Sequence, residues 1–176
     1  MMNKLLLILA ASLAAFNAHA VTANIYGHDT VKIVEQSAVP VLVTNTTAET
    51  TQANLVIPGN SIGTDGAIRI HVLMSHTNNA NNKTIKVKLG GVVLNTIVDT
   101  TSASLNLEMY TANRGAANSQ VSQPVGANSF GVSASAVVTA AVDTSKDQPL
   151  LITCQLAVST DTCQLERFSV EILKPN

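Results

Sequence analysis

The sequence has no tryptophan, and aromatic residues make up only 3% of it. A core built on stacked rings is therefore excluded. A sugar platform of exposed rings has little to draw on, since Tyr26 and Tyr110 are the only tyrosines. Charged residues are scarce as well, at 12% against about 25% in average usage. The formal net charge is −1 and no run of Lys or Arg occurs, which excludes nucleic-acid binding driven by electrostatics. Beyond the first twenty residues no apolar stretch approaches the roughly 20 residues needed to cross a bilayer, so the mature chain is expected to have no membrane span. No helical stripe of useful length occurs outside that first segment.

What the chain does contain is aliphatic and small polar residues. Hydrophobic residues are 46% of it, so the core has to be made from Val, Ile, Leu and Ala. Branched side chains sit well on a pleated surface and favour strands. The stretch Ala67–Gly91 shows the pattern most clearly. Ile68, Ile70, Val72 and Met74 alternate with Arg69, His71, Leu73 and Ser75; later Ile85, Val87 and Leu89 alternate with Thr84, Lys86 and Lys88. A period of two is the mark of a strand buried on one face. Between the two runs lies His76–Asn82, with four Asn in seven residues, a composition that builds loops because Asn bonds to nearby backbone. Gly90-Gly91 turns the chain into Val92–Val98, and the three runs read as consecutive antiparallel strands.

Further runs occur at Ala53–Ile57, Ala103–Ala112, Ala136–Val142, Leu150–Val158 and Cys163–Leu173, with Val39–Thr44 marked as an edge by Pro40. Eight to ten short strands separated by turns predict an all-β fold: an antiparallel two-sheet sandwich, jelly-roll-like. Lys4, the apolar run Leu5–Phe16 and the small-x-small site Ala18-His19-Ala20 have the layout of a secretory signal peptide. Residues 1–20 are thus expected to be removed by cleavage between Ala20 and Val21, giving an exported protein (periplasmic, cell-surface or extracellular). About 150 residues remain, which suits one domain: an N-terminal arm or edge strand at 21–38 and the sandwich at 39–176. Cys154 and Cys163 are the only cysteines. An even count in an exported chain predicts a disulfide between them, around a tip at Ser159-Thr160-Asp161.

Catalytic chemistry is not visible. His71 and His76 lack a third metal ligand in sequence, and the cysteine pair does not fit zinc spacing. No G-x-S-x-G elbow occurs, Gly90-Gly91 lacks the Lys and helix of a phosphate loop, and the carboxylates are scattered singly. No enzyme activity, cofactor or metal is expected. A surface so poor in charge suits a packed assembly better than a solitary monomer, so a homo-oligomer, trimer or fibre, is expected. Two loops are the candidate contacts. One carries His76, Asn78, Asn79, Asn81 and Asn82; the other, within the long polar stretch Asn113–Ser135, carries Asn113, Arg114, Asn118 and Gln120.

Several segments together resemble a known group of proteins: Leu55-Val56-Ile57-Pro58-Gly59, Gly63-Thr64-Asp65-Gly66-Ala67-Ile68-Arg69-Ile70, Ser75 through Thr84, Leu89-Gly90-Gly91, Ala112-Asn113-Arg114-Gly115, Asn118-Ser119-Gln120 and Val170-Glu171-Ile172-Leu173. This pattern is similar to small structural proteins of tailed bacteriophages and prophages. The resemblance implies a fibre- or decoration-like β-sandwich that trimerises, with a virion or host-surface partner and no catalysis. Joined to an export signal, it leaves a virion role and a bacterial extracellular fibre both open. The other class of function is an exported carbohydrate- or cell-surface-binding module. Export makes a first prediction: expressed in a secreting bacterium, the protein is expected to start at Val21, and an N-terminal sequence that retains Leu5–Phe16 would exclude cleavage.

Overall fold

The computed structural model describes residues 31–126 and 134–175. The expected signal peptide, its cleavage point at Ala20 and Val21, Tyr26 and the first part of the 21–38 arm lie outside the described residues. Among the described residues eleven strands form: β1 (Val31–Ser37), β2 (Val41–Val43), β3 (Thr50–Ile57), β4 (Ala67–His76), β5 (Lys83–Leu89), β6 (Val92–Asp99), β7 (Ser104–Asn113), β8 (Gln120–Ser122), β9 (Val138–Ala140), β10 (Gln148–Leu156) and β11 (Cys163–Leu173). They make a 7-stranded sheet ordered β1-β11-β4-β7-β8-β9, with β2 also on β11, and a 4-stranded sheet ordered β3-β10-β5-β6. The expected antiparallel two-sheet sandwich is what the chain forms.

Its winding follows from the pairings. β5 pairs β6, β4 pairs β7, β3 pairs β10 and β2 pairs β11, all antiparallel. These are nested pairs of one long hairpin with its tip at β5–β6. Alternate pairs fall into opposite sheets, and β11 meets β4 while β10 meets β5. A double ribbon wound this way is a jelly roll. Eight strands make the ribbon; β1, β8 and β9 add to it, which is why the count exceeds the eight to ten expected.

The alternation seen in sequence maps onto burial. Ile68, Ile70, Val72 and Met74 face Ile85, Val87 and Leu89 across the core, with Leu107, Met109, Leu150, Ile152, Val170 and Ile172, all buried. Each such side chain contributes about 1.5–3 kcal/mol by leaving water. The run Leu165-Glu166-Arg167-Phe168 breaks the alternation, and the register slips there by one residue against β4. This bulge keeps Leu165 and Phe168 inside while Glu166 and Arg167 both face out.

One expectation needs correction. β4, β5 and β6 are not three consecutive strands of one sheet. β5 and β6 form a hairpin, but β4 lies in the other sheet, so 77–82 is a crossing and not a turn. Six residues reach across sheets packed about 10 Å apart, and the apolar faces of β4 and β5 then meet from opposite sides of the core. The link from β10 to β11 is also a crossing. Cys154 and Cys163 therefore do not staple a hairpin: their disulfide, with Cα atoms 6.7 Å apart, ties one sheet to the other.

Gly66 shows how tightly the far end closes. A Cβ there would sit 2.2 Å from the Ile62 carbonyl oxygen and 2.8 Å from that of Leu173, so no larger residue fits between the sandwich and the incoming chain. Removing the intersheet tie gives a test of the winding. Cys154→Ala/Cys163→Ala is expected to keep the β fold and lose about 2.5–3 kcal/mol of unfolding free energy, measured by urea denaturation. Identical midpoints for the two proteins would exclude a stabilising role for the bridge.

Candidate interaction surfaces

The two loops expected to make contacts lie at opposite ends of the sandwich. β4 and β7 run antiparallel, with Ala67 beside Ala112 and Ser75 beside Ser104, so His76 and Asn113 cannot share an end. At the disulfide end four crossings meet: 44–49, 77–82, 100–103 and 157–162. Backbone bonds join them, from Asn45 N–H to the Ser159 carbonyl, Thr77 N–H to Thr162, Ala157 N–H to Asn82 and His76 N–H to Ala103.

A buried charge organises this end. Lys83 opens β5 in phase with Ile85, Val87 and Leu89, so its side chain points inward and is fully buried. Its ammonium donates to Asn79 Oδ1 at 2.6 Å, to the Thr100 carbonyl at 3.3 Å and to the Asn79 carbonyl at 3.5 Å. Three oxygens for three protons satisfy the group, as a buried cation requires. Asn79 and Asn81 then donate through Nδ2 to the two oxygens of Asp161, at 2.7 and 3.0 Å. Asp161, read from sequence as part of a tip, is buried. Burial by itself would raise its pKa; the amides of Asn79 and Asn81 and the charge of Lys83 outweigh that and lower it. Asn79 and Asn81 are thus half-buried braces, while Asn78 and Asn82 are exposed.

His76 is also turned inward, with a fully buried side chain. Its Nε2 lies 3.1 Å from Asp99 Oδ2 and 3.5 Å from Ser102 Oγ, and Ser102 donates to the same Asp99 oxygen at 2.5 Å. Ser, His and Asp come together here, but not as a proton relay. A relay needs the carboxylate on one ring nitrogen and the hydroxyl on the other; here both address Nε2, and the serine proton is already given to Asp99. The five-residue spacing of His71 and His76 puts them on opposite faces of β4, which separates the pair that might have held a metal. His71 lies outside, with Nε2 2.7 Å from Asn106 Oδ1. Among the described residues no group of three metal-binding side chains converges.

The other end carries a second polar network. Gln120 donates through Nε2 to Asn113 Oδ1, to the Val142 carbonyl and to the Ala117 carbonyl, at 2.8, 3.0 and 3.1 Å, and accepts from Val142 N–H at 2.8 Å. Asn113 donates to the Gly63 carbonyl and to Thr144 Oγ1, at 2.6 and 2.9 Å. Both side chains are buried. They hold the long β7–β10 connection to the sandwich, and Arg114 and Asn118 stay exposed beside them. Part of that connection, 127–133, lies outside the described residues.

The sheet faces are braced in the same manner. On the 4-stranded sheet Glu49 folds over the surface, bonding Lys86 Nζ at 2.8 Å, Thr153 Oγ1 at 2.7 Å and Lys88 Nζ. These bonds, Lys86 first and then Lys88, hold its carboxyl at about 2 in place of the ordinary 4.5. On the 7-stranded sheet Arg69 makes a two-pronged pair with Glu171, and Tyr110 gives its hydroxyl to Glu108 at 2.7 Å. Sequence reasoning passed over Lys83 and Glu49. Lys83 was detectable as a charge in phase with an apolar face; Glu49 was not, since nothing local says that a loop carboxylate reaches across two neighbouring strands.

No family model matches the chain. No curated protein matches it either. Among solved structures it is weakly similar to the phage J-1 evolved Dit CBM2 module of Lactobacillus casei BL23, with 8% identity over 83% of this chain and 98% of that one and a TM-score of 0.38. A stretch of dimeric latent PorU from Porphyromonas gingivalis is similar at 8% identity and TM-score 0.37, over 76% of this chain and 12% of that protein. Infectious bursal disease virus, Gx strain, gives 10% identity and TM-score 0.25, over 83% of this chain and 40% of that one. Scores this low carry no argument about function, and the jelly-roll assignment rests on the strand pairings alone.

The depressed Glu49 carboxyl has a consequence for stability against pH. A group whose pKa falls on folding stabilises the fold above its unfolded value and loses that contribution as the pH drops through its folded value. Glu49 therefore contributes about 1–3 kcal/mol at neutral pH, fading between pH 4.5 and about 2. Glu49→Gln is expected to lower stability at pH 7 and to match the parent near pH 2, as read from urea midpoints. A deficit independent of pH would show that the carboxylate charge is not the cause.

Proposed function

We propose that this protein is a non-catalytic assembly subunit that works outside the cytoplasm. It serves either as a fibre, spike or decoration component of a phage-like virion or as the unit of an extracellular bacterial fibre. The observation that carries this reading is the edge of the 7-stranded sheet. β1 and β2 lie end to end along β11, and among the described residues β1 pairs on that side only. Val31 is 48% exposed and Ile33 52%, and Val39 and Leu42 continue the apolar line. An open edge of this kind offers backbone donors and acceptors to a further strand.

The remaining surface supports the same reading. The carboxylates and ammonium groups described above are occupied in bracing the fold, so little free charge is left to keep copies apart. A disulfide between sheets suits a protein that has to persist in an oxidising compartment. Among the described residues no helix is long and apolar enough to cross a membrane.

The competing reading is an exported carbohydrate- or cell-surface-binding module acting as a monomer. Tyr110, the only aromatic ring on the described sheet faces that could stack on a sugar, is half-buried with its hydroxyl committed to Glu108. Size-exclusion chromatography with light scattering separates the two. The disulfide-bonded protein is expected to run at a multiple of the single-chain mass at tens of micromolar. A single-chain mass together with retention on a glycan array would replace the assembly reading with the binding module.

A further inference from the structure

β1 is self-complementary, and a bulge makes it so. Its ladder with β11 pairs Lys32 with Ile172, Ile33 with Glu171 and Glu35 with Val170. Val34 is the extra residue, skipped between Ile33 and Glu35, and it packs against the core. In a regular strand residues three apart face opposite ways. The skipped residue reverses this. Lys32 and Glu35 oppose Ile172 and Val170, both on the core side, so they share one face, while Val31, Ile33 and Gln36 share the other.

These two charges differ from most of those on the sandwich. Glu49, Lys86, Lys88, Arg69, Glu171, Lys83 and Asp161 are all engaged. Lys32 and Glu35 are exposed and make no ion pair or side-chain hydrogen bond among the described residues. A lone Lys on an edge strand repels a second copy of that edge. A Lys and a Glu placed symmetrically about a central residue do the opposite.

We infer that two copies of this chain join edge to edge through β1, antiparallel, about a two-fold axis passing through Ile33. In this register Ile33 faces its own counterpart, Lys32 faces Glu35 of the other copy on both sides of the axis, and Val31 faces Gln36. Opposed residues then lie on the same side of the sheet, as an antiparallel pair demands. The interface is isologous, so it closes as a dimer and joins two 7-stranded sheets into one. Pro40, which lacks an N–H, stands just beyond and limits how far the pairing can extend. The inference rests on the assembly reading above and specifies one contact in it.

Charge reversal tests it. Lys32→Glu sets Glu against Glu at both pairs, and Glu35→Lys sets Lys against Lys; each is expected to weaken dimerisation about tenfold or more without moving the thermal midpoint of the monomer. The double variant K32E/E35K restores both pairs and is expected to dimerise like the parent. Mixing the two single variants one to one is expected to give a mixed dimer, since each then supplies what the other lacks. Sedimentation velocity on the disulfide-bonded chain reads all five samples. If the parent assembles and the single variants assemble equally well, this interface is wrong while the assembly reading stands. Failure of both the double variant and the mixture to recover also overturns the register. A parent that sediments as one chain at 100 micromolar overturns both readings.

Discussion

Two stacked sheets share no backbone hydrogen bonds, so everything that joins them passes through the side chains between them or the links at their ends. In this protein that constraint falls on the end where β2, β4, β6 and β10 hand the chain across. Two of the four crossings, 77–82 and 100–103, turn a backbone carbonyl toward the core, and buried carbonyls need partners that water cannot supply. Lys83 provides them with an ammonium drawn down from the start of β5, and Asp161 gathers the Asn79 and Asn81 amides beside it. The Cys154–Cys163 bridge sits next to this network and fixes one crossing covalently. The core can be plain aliphatic packing because the end is held by directed bonds.

The same economy shapes the outside. With so few charges available, the chain places most of them where they bind its own surface: Glu49 across β5 and β10, Arg69 on Glu171, Asp99 beside His76. Bracing of this kind leaves the faces almost neutral and chemically quiet. It also makes the pair on β1 stand out, since among the described residues Lys32 and Glu35 are an unengaged Lys and Glu side by side on a strand paired along one side only.

Two groups resemble chemical sites, one in the sequence and one in the fold, and neither has the geometry of one. His71 and His76 stand on opposite sides of β4. Ser102, His76 and Asp99 meet, but on one ring nitrogen, and they close a buried loop end. The Asn-rich loops, read as exposed contacts, turn half of their side chains inward. Buried Asn113 and Gln120 satisfy backbone carbonyls at one end, while half-buried Asn79 and Asn81 link Lys83 to Asp161 at the other.

The amino-acid sequence by itself determined which residues face inward along β4, β5 and β7, because an unbroken period of two fixes the side of the sheet whatever the neighbours are. It also determined the strand class, through its excess of Val, Ile and Thr, and the single pairing open to two cysteines. Only the tertiary structure decided which sheet each strand joins. Periodicity carries no information about whether a six-residue Asn loop turns back or crosses over, so β4 and β5 were read as neighbours when they lie in different layers. Tertiary structure alone also assigned Glu49 to two lysines on another strand and set Lys32 and Glu35 on one face, since long-range ion pairs and a bulge depend on the partner strand and leave no local mark.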